Sequence, residues 1–344
     1  MAAQFIPRAI FPTLDSLPRS YFLGHHRKGL SKMKTLLAST DLVIECRDYR
    51  VPITSRNPLF EESLSSRARL LVYTKRDLGS EGTREDLKRE EIIKKWHAPS
   101  PVLFSSHKDP KDTKRILKFA KEYTARTATL TGSRMMVVGM PNVGKSSLLN
   151  ALRAVSMGKG KAAKTGGQPG ITRNVSTGVK IIGGDSGNEG VYLLDTPGVF
   201  VPYVPNADSM LKLALCGSVK DSIIPYTTMA DYLLFLLNKR DPSLYAKYHE
   251  PTNDIFELLK AMARKTGRLQ KGGEPEMDAT AIFLIQRWRN GDLGKFVLDN
   301  IALNSLDRKK DDDLNMVTSG NQARRAAKEV IRARARARSK AASG

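Results

Sequence analysis

The residues Gly139-Met140-Pro141-Asn142-Val143-Gly144-Lys145-Ser146 follow the pattern GxxxxGK[ST], the spacing of a phosphate-binding loop. Glycine lets backbone N–H groups turn inward around phosphate oxygens, and the positive end of the following helix adds to the attraction. Lys145 is placed to reach the β- and γ-phosphates, and the Ser146 hydroxyl to bind magnesium, with Asn142, Val143, Gly144 and Ser147 completing the contacts. Such a loop needs a strand before it and a helix after it. Met135-Met136-Val137-Val138 supplies the first, and Ser147-Leu148-Leu149-Asn150-Ala151-Leu152 the second.

Magnesium and a γ-phosphate need further ligands. Asp195-Thr196-Pro197-Gly198 follows the apolar run Val191-Tyr192-Leu193-Leu194. Asp195 at a strand end suits a magnesium ligand through water, and the Gly198 N–H suits the γ-phosphate. Thr172, in Pro169-Gly170-Ile171-Thr172, is the candidate switch threonine that closes over magnesium when the γ-phosphate is present.

Guanine is recognised by a carboxylate that accepts from two donors of the base, on a loop after a strand. Two stretches qualify. Thr74-Lys75-Arg76-Asp77 follows Leu70–Tyr73, and Asn238-Lys239-Arg240-Asp241 follows Leu233–Leu237. Strand bookkeeping favours the first. A GTPase sheet has six strands, and from the phosphate loop onward the sequence offers three, near 134–138, 174–182 and 190–194. Three more precede it: 41–46, 69–73 and 101–104. The last leads into Ser105-Ser106, a small polar pair able to contact the guanine carbonyl. Helical stretches near 84–96 and 111–125 separate these strands, as parallel pairing requires. Segment 222–237 reads as a helix stopped by Asp241-Pro242, with Leu233–Leu237 on its buried face. The order is therefore that of a circularly permuted P-loop GTPase: an α/β domain with a six-stranded, mostly parallel sheet whose base-recognition half comes first.

The chain resembles the YlqF/RbgA family of permuted ribosome-assembly GTPases, in its mitochondrial large-subunit branch. The resemblance spans Phe22 to about Asp299. It rests on Tyr21-Phe22-Leu23-Gly24-His25, Asp48-Tyr49-Arg50-Val51-Pro52 with Ser55-Arg56-Asn57-Pro58, Gln168–Thr172, and Arg289-Asn290-Gly291-Asp292-Leu293-Gly294. The specificity motif departs from the family in carrying Thr74 in place of the usual Asn, while Asp77 keeps the decisive carboxylate. Leu23 and His26 also replace the usual residues around His25.

In Ras-like proteins a Gln directly after the switch-two glycine orients the attacking water. Here that position is Val199, which cannot hold water, so hydrolysis is expected to be slow without a partner. In such hydrophobic-substituted GTPases the P-loop Asn can hold potassium against the phosphates, and Asn142 occupies that position. Asn142 is equally a residue that turns favour for backbone reasons. The resemblance implies a water-activating role for His25, against which stands a simple surface or RNA contact.

The chain carries 57 Lys+Arg against 35 Asp+Glu, a net charge of +22, which points to a polyanion such as RNA, with an anionic membrane as the second choice. Basic residues crowd the end of the chain, where Arg332, Arg334, Arg336 and Arg338 alternate with alanine. Spacing by two spreads charge around a helix, so this stretch reads as a binding-induced basic arm or a solvated tail rather than a membrane-lying helix. The Gly- and Lys-rich run 158–167 reads as a switch loop. Cys46 and Cys216 are too few for a disulfide framework and fit a reducing compartment.

These readings divide the chain into a candidate mitochondrial presequence (1–21), the permuted GTPase domain (22–204), a helical domain (205–308) that the resemblance implies is RNA-binding, and a charged linker with the basic tail (309–344). The resemblance implies a monomeric GTPase of the mitochondrial matrix that binds GTP and GDP with magnesium and potassium. Its expected partner is the mitochondrial large ribosomal subunit and its rRNA, which stimulate it, with a peripheral contact to the inner mitochondrial membrane. The alternatives are a non-catalytic GTP-dependent RNA scaffold and a membrane-associated GTPase of conventional order using Asn238–Asp241.

Overall fold

The computed structural model describes residues 5–12, 37–64, 67–106, 108–127, 133–157, 179–182, 190–195 and 203–315. Strands β1 (Leu42–Asp48), β2 (Arg69–Thr74), β3 (Val102–Phe104), β4 (Ser133–Val138), β5 (Val179–Ile182) and β6 (Val191–Asp195) form one sheet in the order β3-β2-β1-β4-β6-β5. Neighbouring strands run parallel except β5, which pairs antiparallel with β6 at the edge. The strand before the phosphate loop is thus central, flanked by β1 from earlier in the chain and β6 from later. This is the permuted order.

Both faces of the sheet are covered, which explains why its strands read as nearly continuous apolar runs. Leu42, Ile44 and Cys46 of β1 join Met135 and Val137 of β4 in the main core, against Leu149 and Leu152 of helix α4 (Lys145–Met157) and Ile116 of α3 (Pro110–Thr127). The alternate residues Val43, Met136 and Val138 face Leu64 of α1 (Pro58–Leu64). Tyr73 and Phe104 pack with Ile93 of α2 (Arg84–His97). The Thr83 hydroxyl accepts from the Asp86 N–H, and the Asp86 carboxylate accepts from the Thr83 N–H, which sets where α2 begins.

Helices α5 (Ala207–Leu215), α6 (Tyr226–Arg240), α7 (Ile255–Thr266) and α8 (Met277–Arg289) follow the sheet. Asn206 caps α5, Asp254 caps α7, and Gly267 ends α7 at φ 70°. Leu233, Leu234 and Leu237 are buried on α6, as its sequence implies, and α8 packs against both α6 and α7. Residues 5–12, within the stretch read as a presequence, lie along this region. Arg8 forms a two-point ion pair with Asp231 at 2.6 and 3.1 Å, and Phe11 meets the edge of Tyr232.

Residues 1–301 form one compact unit and residues 302–344 a second, in which 305–315 are helical. Among the described residues no helix is long and apolar enough to cross a membrane, and no His/Cys/Asp/Glu cluster could hold a metal ion by itself. The basic arm and the 158–167 run lie outside the described residues.

Candidate nucleotide-binding site

Strand register brings the predicted residues to one edge. Asp48 is paired with Thr74, Tyr73 with Phe104, Glu45 with Val138, and Val137 with Asp195. All these strands are parallel, so the phosphate loop, Thr74–Asp77, Ser105-Ser106 and Asp195 all emerge at their C-terminal ends. Ligands bind at such an edge in open α/β sheets.

The phosphate loop leaves β4 through Gly139 at φ 146°, where any side chain would collide with the Cys46 carbonyl. Asn142 also takes positive φ, 56°, which Asn tolerates better than most residues. Its side-chain amide donates to the Gly217 carbonyl at 2.8 Å. Lys145 is buried, with Nζ donating to the Met140 carbonyl at 2.7 Å. The ammonium therefore lies inside the curl of the loop, where a phosphate would be met. Ser146 and Ser147 lie in the first turn of α4.

The turn after β2 packs directly on this loop. The Thr74 hydroxyl donates to the Val143 carbonyl, and its atoms lie 3.6 Å from where a side chain on Gly144 would begin. Lys75 takes φ 57°, and its ammonium lies 3.0 Å from Asp48. Asp48 is fully buried and also receives two bonds from the Arg50 guanidinium, at 3.0 and 2.8 Å. Burial by itself would raise the Asp48 pKa; the charges of Arg50 and Lys75 outweigh it and hold the carboxyl well below the usual range. Burial also lowers the Lys75 pKa.

Asp77 lines a cavity of about 280 Å³ with Arg76, Ser80, Ser106, Lys108 and Asp112. One Asp77 oxygen lies 3.3 Å from the exposed Lys108 ammonium, and the other is buried without a hydrogen-bond partner. A buried carboxylate oxygen with nothing to accept from is costly and fits a site that awaits donors. The Ser106 N–H is held by Asp112 at 2.9 Å, fixing the second loop beside the same cavity.

The rival motif sits differently. Asn238 lies within α6, buried, donating to the Thr252 carbonyl at 2.8 Å and accepting from the Tyr245 hydroxyl at 2.6 Å. Asp241 caps the short turn that follows by accepting from the Ser243 N–H at 2.9 Å. Both are occupied in the fold of the helices. His25, Thr172, Gly198 and Val199 lie outside the described residues. For Asp195 the backbone alone is described, as the last residue of β6.

Sequence reasoning missed two features. The Asp48–Arg50 pair was visible only as part of a family motif. The Arg289 guanidinium, which donates to the Ala214 and Leu215 carbonyls at 2.8 Å each and pairs with Asp221, was likewise visible only as the first residue of the motif 289–294.

A permuted sheet with a phosphate loop at its centre and a carboxylate-bearing turn beside it defines a circularly permuted P-loop GTPase. The family model for the 50S ribosome-binding GTPase matches residues 134–268. The chain is 37% identical to Mitochondrial GTPase 1 of Schizosaccharomyces pombe, over 88% of this chain and 95% of that protein. It is 36% identical to Mitochondrial ribosome-associated GTPase 1 of Xenopus tropicalis, over 81% and 94%. The crystal structure of GNP-bound YlqF from T. maritima superimposes with a TM-score of 0.55 at 24% identity, over 80% of this chain and 98% of that one, a likeness of fold. The chain belongs to the family of these mitochondrial GTPases.

Proposed function

We propose that this protein is a GTP-hydrolysing assembly factor that binds the rRNA of the mitochondrial large ribosomal subunit and is stimulated by it. The observation that carries the reading is the convergence of Lys145, Thr74–Asp77, Ser106 and the end of β6 on one edge of the permuted sheet. The names of the relatives, mitochondrial and ribosome-associated, support the compartment and the partner, and the +22 charge supports RNA.

In this reading Lys145 and the loop N–H groups neutralise the β- and γ-phosphates, and Asp77 accepts from the guanine base, with Ser105 and Ser106 beside it. Ser146, Thr172 and Asp195 are the magnesium ligands, an all-oxygen set suited to a hard divalent ion; magnesium, when bound, supplies charge neutralisation on the phosphates. Asn142, positioned by its bond to Gly217, is the candidate potassium ligand. Gly198 contacts the γ-phosphate. Val199 leaves water orientation to another group, for which His25 is proposed, brought into place by docking on the subunit in the matrix.

The test is sedimentation with purified mitochondrial large subunits in the presence of GDP or a non-hydrolysable GTP analogue. The reading expects co-sedimentation with the analogue and release with GDP. Equal recovery with both would contradict it.

A further inference from the structure

The segment that ends the helical region wraps the turn that carries Lys75 and Asp77. Its first contact is Trp288, fully buried at the end of α8, whose ring lies 4.9 Å from the Arg50 guanidinium. Arg50 in turn holds Asp48, and Asp48 holds the Lys75 ammonium. The second is Gly291, at φ 89°, so close to Leu78 that a side chain there would begin 3.3 Å from the Leu78 methyl. Leu78 ends the short helical turn 76–78 that contains Asp77. The third is the Leu298 N–H, which donates to the Arg50 carbonyl at 2.7 Å. Finally, the Asp299 carboxylate accepts from the N–H groups of Ile53 and Thr54 and from the Thr54 hydroxyl, at 2.9, 2.8 and 2.6 Å. One stretch of chain, 288–299, thus touches the Arg50 side chain and carbonyl, the backbone at Ile53 and Thr54, and Leu78 next to Asp77.

This arrangement has a consequence for binding. A loop that must present one carboxylate and one lysine stem to a base loses affinity when their positions spread, because ordering then has to be supplied on binding. Trp288 and Arg50 lie in series with Lys75: an aromatic face holds a guanidinium, which holds a carboxylate, which holds an ammonium. Close-packed buried groups of this kind have little freedom to absorb a displacement of the end of α8.

We propose that Trp288, Arg50 and Asp48 are positioning residues for guanine recognition, through which the helical region sets the affinity for the base. The inference rests on reading Thr74–Asp77 as the guanine loop. By linkage, a partner that shifts the end of α8 changes base affinity, and the bound base changes affinity for that partner equally.

The test uses the full chain and measures displacement of a fluorescent GDP by unlabelled GDP or ADP, with thermal unfolding alongside. The variants are Arg50→Lys, Trp288→Leu and the double, and the control is Asp77→Asn. The expected result is a fall of about thirtyfold in GDP affinity relative to ADP in each single variant, the size of a desolvated cation–π contact, with the double no worse than either single because the groups act in series. Gly291→Ala, which presses on Leu78 without opening the core, is the second variant if Trp288→Leu does not fold. It is expected to lower the same ratio. An unchanged ratio in the folded variants, with discrimination lost in Asp77→Asn, overturns the proposal and leaves the guanine loop standing. An unchanged ratio in Asp77→Asn as well overturns both.

Discussion

The Thr74 hydroxyl donates to the backbone carbonyl of Val143, tying the turn after β2 to the phosphate loop across 69 residues of sequence. Thr74 stands where the YlqF/RbgA-type motif usually carries Asn, and the shorter side chain still reaches the phosphate loop. Thr74→Val keeps the shape and removes the donor. GDP affinity is expected to fall by about fivefold, the worth of one neutral hydrogen bond near 1 kcal/mol, in a fluorescent-nucleotide titration. Unchanged affinity would mean the two loops are held together by packing alone.

The two carboxylates once in competition for the base separate cleanly. Asp77 has a buried oxygen with no partner, whereas Asp241 accepts from Ser243 at the end of a helix. Asp77→Asn is expected to weaken GDP binding roughly 10- to 100-fold, the range for losing a charge-assisted bond. Asp241→Asn should leave GDP binding at the wild-type value. The reverse pattern in calorimetric titrations would return the base site to the helix.

Acid stability should report the ion network behind β1. Glu61 receives bonds from Arg47 and Arg56 at 2.5 Å each. Burial pushes the Glu61 carboxyl up, but the two guanidinium groups outweigh it and hold it down to about 2 from 4.5. A carboxyl whose pKa is lower folded than unfolded contributes stability in full above the unfolded value, and loses it as the pH falls through the folded one. Glu61→Gln should therefore be less stable than wild type by about 2–3 kcal/mol near neutral pH, with the gap closing as pH falls from about 4.5 toward 2. Urea unfolding across that range measures it. A gap independent of pH would assign the loss to packing instead.

The N-terminal stretch makes a separate prediction. Arg8 is half-buried between Asp231 and the rings of Phe11 and Phe235. Arg8→Ala should lower unfolding stability by about 1–2 kcal/mol, more than an exposed pair gives because the guanidinium also stacks. Faster cleavage near residues 5–12 in limited proteolysis should accompany it.

Much of this arrangement was legible in the sequence because it rests on local signals. Apolar runs marked five of the six strands to within two residues, while the edge strand expected over 174–182 is described only at Val179–Ile182; the phosphate loop needs glycine at Gly139 for a reason the fold makes plain, the approach of the Cys46 carbonyl. Counting strands on either side of that loop gave the permuted order. What stayed hidden was long-range. Nothing near Asp299 announces that it will cap the turn at Ile53 and Thr54, and nothing near Gly217 announces a bond to Asn142. Such contacts are decided by how the helices lie on the sheet. The helical register of Asn238 was the one distant matter that local pattern settled, since Pro242 stops the helix just after it.

The most direct test of the central claim is GTP hydrolysis by the purified protein, with and without mitochondrial large ribosomal subunits, in potassium and in sodium buffer. Slow turnover alone, rising strongly with subunits and more so in potassium, is the predicted result. Turnover indifferent to both subunits and cation would contradict a ribosome-stimulated GTPase.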